Sequence, residues 1–252
     1  MTFKQALRIA LAAGAFLGFG LGGALLSWIV LPLASLDRDR RRRQRRCQRV
    51  VQATFVLFHD YMRMCGLVAY DPRRVPRPLP AGPLVLVTNH PTLVDVTALL
   101  AAYGELCVVA KGSLFRNPLI GPLLRLCGHI DGGQSGFGTP AHVLEQAIAR
   151  LRQGQRVLMF PEGTRSPHEG LSRFRSGAFN AAFAAQVPIV PAAIFARPAG
   201  LKKGQAWYAI PTTAIVWTVD VLEPLASSAF PSARDLLVAA KSQIERALAR
   251  QT

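Results

Sequence analysis

Two short stretches hold residue types that do chemistry, at spacings that allow it. In Asn89-His90-Pro91-Thr92-Leu93-Val94-Asp95 an imidazole is followed five residues later by a carboxylate. If the turn at Pro91 folds the chain back, Asp95 holds one ring nitrogen and fixes the tautomer. The other nitrogen is then free to take a proton from a substrate. The same residues also fit a solvated loop histidine followed by an aspartate in the first turn of a helix, which the helix dipole favours. In Phe160-Pro161-Glu162-Gly163-Thr164-Arg165-Ser166 a carboxylate, a glycine and a guanidinium share one turn. Arg165 could fork onto a phosphate, and Gly163 would let backbone approach the ligand. A polar loop with a local Glu–Arg pair is the alternative.

Other chemistries lack their signatures. No G-x-S-x-G marks a serine nucleophile and no H-E-x-x-H marks a zinc hydrolase. His59, His129, His142 and His168 have no metal-ligand spacing, so no metal is expected. The glycines at 132, 133, 136 and 138 match neither the dinucleotide nor the phosphate-loop pattern and read as a loop. Trp207 and Trp217 read as core or interfacial aromatics. A non-catalytic membrane tether would leave the His90–Asp95 pair unexplained.

The flanking elements place both stretches at strand ends. Leu84–Thr88 is a buried strand running into Asn89, and residues 156–160 form a strand running into Pro161. Further strands are expected over 106–110, 188–195 and 214–219, and helices over 50–69, 94–103, 139–153 and 232–250. Five prolines between Pro72 and Pro83 make an extended linker. Strands alternating with helices predict an α/β fold with a mixed, largely parallel sheet flanked by helices.

The N-terminal part is different. From Ile9 to Leu36 runs a stretch of 28 residues without a charge, long enough for one tilted membrane span. A re-entrant pair of half-helices broken near Gly22-Gly23 or Pro32 is the other option. Eight arginines follow between Arg38 and Arg49, so the positive-inside rule puts the rest of the chain in the cytoplasm. Their juxtamembrane position favours an anionic membrane surface over nucleic acid as partner. The whole chain carries a formal charge of +16. Residues 50–252 hold 20 basic and 12 acidic residues, so basicity is not confined to the arginine run and suits an anionic ligand. Four cysteines without a CxxC pair argue against a disulfide or zinc scaffold.

Taken together and in order, the motifs resemble those of the glycerolipid acyltransferases, typified by 1-acylglycerol-3-phosphate acyltransferases. The Asn-His-x-x-x-x-Asp motif matches at Asn89, His90 and Asp95, and Phe-Pro-Glu-Gly-Thr-Arg-Ser matches at 160–166. A second region is matched in part over 111–121, and an apolar strand around proline over 187–191. Phe174-Arg175-Ser176-Gly177-Ala178-Phe179 also looks like a family segment. Family members often carry an arginine after the aspartate that follows the second region; this chain has Gly132 after Asp131.

The resemblance implies a membrane-bound O-acyltransferase with His90 as general base and Asp95 as its orienting partner. It implies a phosphate-binding role for Arg165, with Lys111 beside it and with Glu162, Gly163 and Thr164 shaping the substrate-binding turn. The implied partners are a lipid acceptor and an acyl-CoA or acyl-carrier-protein donor, with no further cofactor. Lysophosphatidate is the first choice of acceptor; a lyso-ornithine lipid or polyene-type lipid would need the same base but no phosphate clamp. The chain is then expected to divide into a membrane segment (1–37), a basic juxtamembrane stretch with helix and linker (38–82), and an acyltransferase domain (83–252).

Overall fold

The run Leu84–Thr88 is buried at all five positions, and it lies at the centre of the sheet. In a computed structural model describing residues 2–74, 77–133, 139–167, 170–201 and 204–250, seven strands join into that sheet. They are β1 (Val68–Ala69), β2 (Leu84–Thr88), β3 (Leu106–Ala110), β4 (Ile130–Asp131), β5 (Arg156–Met159), β6 (Ile189–Arg197) and β7 (Ile215–Val221). Their order is β1-β7-β6-β2-β5-β3-β4. All neighbouring pairs are parallel except β6–β7, giving the mixed, largely parallel sheet that the alternating pattern predicts. Gln134, Ser135, Gly136 and Gly138 of the glycine-rich stretch, and His168, lie outside the described residues.

Helices cover both faces, which is why β2 reads as unbroken apolar sequence rather than alternating. Leu84 and Leu86 pack toward α1 (Phe3–Leu25), α3 (Arg40–Met64) and α4 (Asp95–Tyr103). Val85 and Val87 pack toward α7 (Pro140–Arg152), α8 (Gly177–Ala185) and α9 (Ala233–Ala249). Thr139 and Ser232 cap α7 and α9 through their hydroxyls, as short polar side chains do at helix starts. Two short helices, α5 (Gly112–Arg116) and α6 (Gly121–Leu126), connect β3 to β4. In β7 buried and exposed residues alternate, with Trp217 facing inward.

One element differs from its sequence expectation. The helix expected over 50–69 instead runs from Arg40 to Met64. Asp39 caps it by accepting from the amides of Arg41 and Arg42, and arginine is itself a good helix former. The helix stops before Gly66, which sits at φ +64°. Val68 and Ala69 leave the helix to pair with β7.

The apolar N-terminus is helical from Phe3 to Ala34, with a π-helical stretch over Leu26–Val30 that leads into the short α2 (Leu31–Ala34). Its length and mean hydropathy of 2.0 would suffice to cross a membrane. Both ends nevertheless touch the α/β domain. Near the start, Arg8 donates to the carbonyls of Gly66, Pro211 and Thr213. Near the end, Ser27 and Trp28 donate to the carbonyls of Leu119 and Pro118. The outward side of this helix is apolar: Phe3, Leu17, Leu21, Trp28 and Leu33 are exposed.

Candidate active site

The turn after β2 is fixed from below by Asn89. Its buried amide donates to the carbonyl of Ile194 and accepts from the Ile194 amide, tying the end of β2 to β6. His90 follows, and the chain turns through Pro91 and Thr92 into α4, whose first residue is Asp95. The turn brings His90 Nδ1 within 2.7 Å of Asp95 Oδ2.

Asp95 is fully buried and four donors converge on it. Oδ2 accepts from His90 Nδ1–H and from the Thr92 amide at 2.7 Å. Oδ1 accepts from the Thr92 hydroxyl and, at 2.8 Å, from the indole N–H of Trp217 on β7. Both carboxylate oxygens therefore act as acceptors, two bonds to each. With Nδ1–H committed to Asp95, the ring presents Nε2 as its acceptor. Nε2 makes no hydrogen bond among the described residues, and the His90 side chain keeps 18% of its surface exposed. The ring stacks on Phe160, with centroids 4.2 Å apart.

The turn after β5 is bound to the same histidine through backbone. The Ser166 hydroxyl accepts from the His90 amide at 2.8 Å, and the Ser166 amide donates to the His90 carbonyl at 2.7 Å. Glu162 is buried, and its oxygens accept from the Ser166 hydroxyl at 2.5 Å and the Ser172 amide at 2.8 Å. Its carboxylate therefore holds the turn together. Gly163 adopts φ +69°, and a Cβ there would stand 2.9 Å from the Arg175 guanidinium carbon, so the turn requires glycine. Thr164 is half-buried beside it.

Arg165 is half-buried and donates through Nη1 to the Leu201 carbonyl at 2.8 Å. The same carbonyl accepts from the Leu93 amide at 3.1 Å, so the loop after β6 is stitched to both motif turns. Lys111 is exposed at the end of β3. Because β2 and β3 flank β5 in parallel, His90, Lys111 and Glu162–Arg165 all leave the sheet at one edge. At the same edge Gly132 packs tightly: its amide bonds to the Ala110 carbonyl, and a Cβ would lie 2.9 Å from that oxygen. An arginine there would force the end of β3 to shift.

An apolar cavity of about 220 Å3, lined in part by Leu93, Val94 and Thr97 around the start of α4, opens between the N-terminal helix and the domain. Ala12, Phe16 and Phe19 of α1 and Phe58 and Met62 of α3 also line it. Among the described residues no three His, Cys, Asp or Glu side chains are grouped as metal ligands would be.

Three residues of this network carry no functional assignment from sequence: Thr92, Ser166 and Trp217. Thr92 and Ser166 fall within the motifs, where nothing in their spacing reveals which side chains they bind. Trp217 lies 122 residues from Asp95. The one available signal is that an inward-facing tryptophan on an alternating strand needs a partner for its N–H.

Residues 67–195 match the family model described as Acyltransferase. The human 1-acyl-sn-glycerol-3-phosphate acyltransferase beta is 32% identical over 181 residues, covering 71% of this chain and 63% of that protein. The human alpha form is 37% identical over 114 residues, covering 44% of this chain and 40% of that protein. The matches thus span less than two thirds of the length of these relatives. The crystal structure of the 1-acyl-sn-glycerophosphate (LPA) acyltransferase PlsC from Thermotoga maritima superposes with a TM-score of 0.77. That alignment covers 99% of this chain and 98% of the other at 19% identity, a likeness of fold.

Proposed function

The chain belongs to the glycerolipid acyltransferase family, and on that premise we propose that it moves a fatty acyl group from a thioester donor to the hydroxyl of 1-acylglycerol-3-phosphate, giving phosphatidate. The observation that carries this reading is the His90–Asp95 pair at the strand edge, with Nε2 left open. Nε2 takes the proton of the acceptor hydroxyl as its oxygen attacks the thioester carbonyl. Asp95 stabilises the imidazolium that forms. As the tetrahedral intermediate collapses, the carbon–sulfur bond breaks and His90 returns the proton to the leaving thiol. One ester replaces one thioester and the histidine ends as it began. The donor is acyl-CoA or acyl-carrier protein, both of which present the same thioester.

Arg165 and Lys111 supply cationic groups for the acceptor's phosphate. Arg165 uses one nitrogen on the Leu201 carbonyl, and a guanidinium retains further donors. The apolar cavity at the start of α4 takes an acyl chain, with α1 as one of its walls.

Membrane attachment follows from the same helix. Arg8 and Ser27 lie 19 residues apart, about 28 Å along a helix, close to the roughly 30 Å hydrocarbon thickness. A domain on one side of the bilayer cannot touch both ends of a helix that crosses it. The proposed arrangement is therefore monotopic, with the exposed apolar side of α1 in the cytoplasmic leaflet and the arginines of α3 near its headgroups.

The test is acyl transfer by purified full-length protein, followed by thiol release, with a panel of lyso-lipid acceptors and both donor classes. The reading expects the highest kcat/KM with lysophosphatidate. A higher value on a phosphate-free acceptor would reassign the substrate while keeping the chemistry.

A further inference from the structure

A second cavity, polar where the first is apolar and of about 370 Å3, lies at the opposite edge of the sheet from His90. Gly82 just before β2, Glu105 just before β3 and Arg156 at the start of β5 all line it. His90, Lys111 and the Glu162–Arg165 turn follow the other ends of these same three strands. Strands of four or five residues at ~3.3 Å per residue separate the two edges by about 15 Å. A group held here is therefore not the reacting acceptor.

The lining is organised by the register of α3. Arg41, Arg45 and Arg49 form one i,i+4 ridge, and Gln44, Gln48 and Gln52 form a second beside it. The glutamines pin the helix to the domain. Gln44 bonds the Gln155 side chain, Gln48 donates to the Cys127 carbonyl, and Gln52 donates to the Ala101 carbonyl. The arginines are thus presented in a set geometry. Arg156 completes the group, held by the carbonyls of Pro80 and Gly82.

Charge in the cavity is unbalanced. Four guanidiniums face one carboxylate, Glu105, which lies 3.0 Å from Arg49. Arg41 and Arg45 make no side-chain hydrogen bond or ion pair among the described residues. Their neighbours Arg42 and Arg46, in contrast, pair with Asp39 and Asp37. Arg41 and Arg45 thus bring two unpaired guanidiniums to the cavity wall, beside Arg49 and Arg156. Guanidinium forks match the paired oxygens of phosphoryl groups, and several of them spaced along one wall suit more than one phosphate oxygen set.

We infer that this cavity binds a phosphorylated anion, a phosphomonoester or a pyrophosphate, at a site separate from the reaction edge. The inference stands on the cavity alone and does not depend on the acyltransfer reading. Lipid headgroups and soluble metabolites both offer this chemistry.

The experiment titrates inorganic pyrophosphate into full-length protein in neutral-lipid nanodiscs, in phosphate-free buffer, by calorimetry. Saturable one-to-one binding is expected. It should weaken about tenfold or more in the Arg41→Gln/Arg45→Gln double variant and persist in Arg165→Gln. Repeating the titration in nanodiscs containing phosphatidate identifies the source. Suppressed pyrophosphate binding points to a lipid headgroup, and unchanged binding points to a soluble ligand. The inference is overturned if no saturable binding occurs, if the double variant binds as the wild type does, or if Arg165→Gln alone abolishes binding.

Discussion

Trp217 donates its indole N–H to Asp95 Oδ1 at 2.8 Å, from a strand at the other side of β6. The carboxylate that orients His90 is thereby held by two elements far apart in the chain: its own turn, through Thr92, and β7. On the proposed chemistry Trp217 touches no reacting atom and acts as a positioning residue for the histidine.

Replacing Trp217 with phenylalanine keeps most of the apolar volume and removes the donor. A buried hydrogen bond to a charged group contributes roughly 1.5–3 kcal/mol, so a loss of ~10-fold or more in kcat is expected. KM for either substrate should hardly change, because the effect enters through His90. Steady-state kinetics on a variant with native circular dichroism checks this. A rise in KM at constant kcat would place Trp217 in substrate binding instead.

Glu162, Ser166 and the His90 backbone form one chain of hydrogen bonds. Glu162→Gln and Ser166→Ala should each lower kcat/KM, and the double variant should lose much less than the two losses combined. A coupling of about 1 kcal/mol or more is expected from a double-mutant cycle on this contacting pair. Strict additivity would show that the two side chains act separately.

Arg165→Lys keeps a charge but loses the fork, and a lysine must choose between the Leu201 carbonyl and a phosphate. For lysophosphatidate the expected loss in kcat/KM is on the order of 10–150-fold, with acceptor KM moving more than donor KM. If acceptor kinetics stay the same, and a phosphate-free acceptor serves equally well, then Arg165 holds no phosphate.

Two buried imidazoles are expected to lower the stability of the fold in acid. Burial, aided by the Arg150 charge, pushes His129 down to about 4; its Nδ1 accepts from the Val108 amide. Burial likewise pushes His59 down to about 4, against a small opposing effect of Asp60. Both groups stay neutral in the folded chain while the unfolded chain protonates them near pH 6.5. Between about pH 6.5 and 4 the unfolded state therefore binds more protons, and stability falls as pH falls. At ~1.4 kcal/mol per pH unit, each imidazole contributes a loss on the order of 3 kcal/mol across that window. Unfolding midpoints from pH 7.5 to 4 should decline, and His129→Gln should flatten the decline. Equal slopes in wild type and variant would contradict the assignment.

Legibility differed from element to element, for physical reasons. The strand Leu84–Thr88 was readable because burial on both faces leaves an unbroken apolar run. His90 and Asp95 were readable as a pair because one local turn joins them. The arginine half of α3 was not, since its charges hide the apolar period that marks residues 51–65. Glu162 reads as a polar residue in an exposed turn, and its burial depends on partners at Ser166 and Ser172 that composition does not reveal. The seating of α1 depends on carbonyls at Gly66, Pro118, Leu119, Pro211 and Thr213, which no side-chain pattern advertises.

The most direct measurement is turnover of lysophosphatidate with an acyl-CoA by His90→Ala, compared with wild type at equal folded concentration. Loss of the base should lower kcat by at least about 10²-fold with the fold intact. A folded His90→Ala protein that transfers acyl groups at close to the wild-type rate would contradict the account.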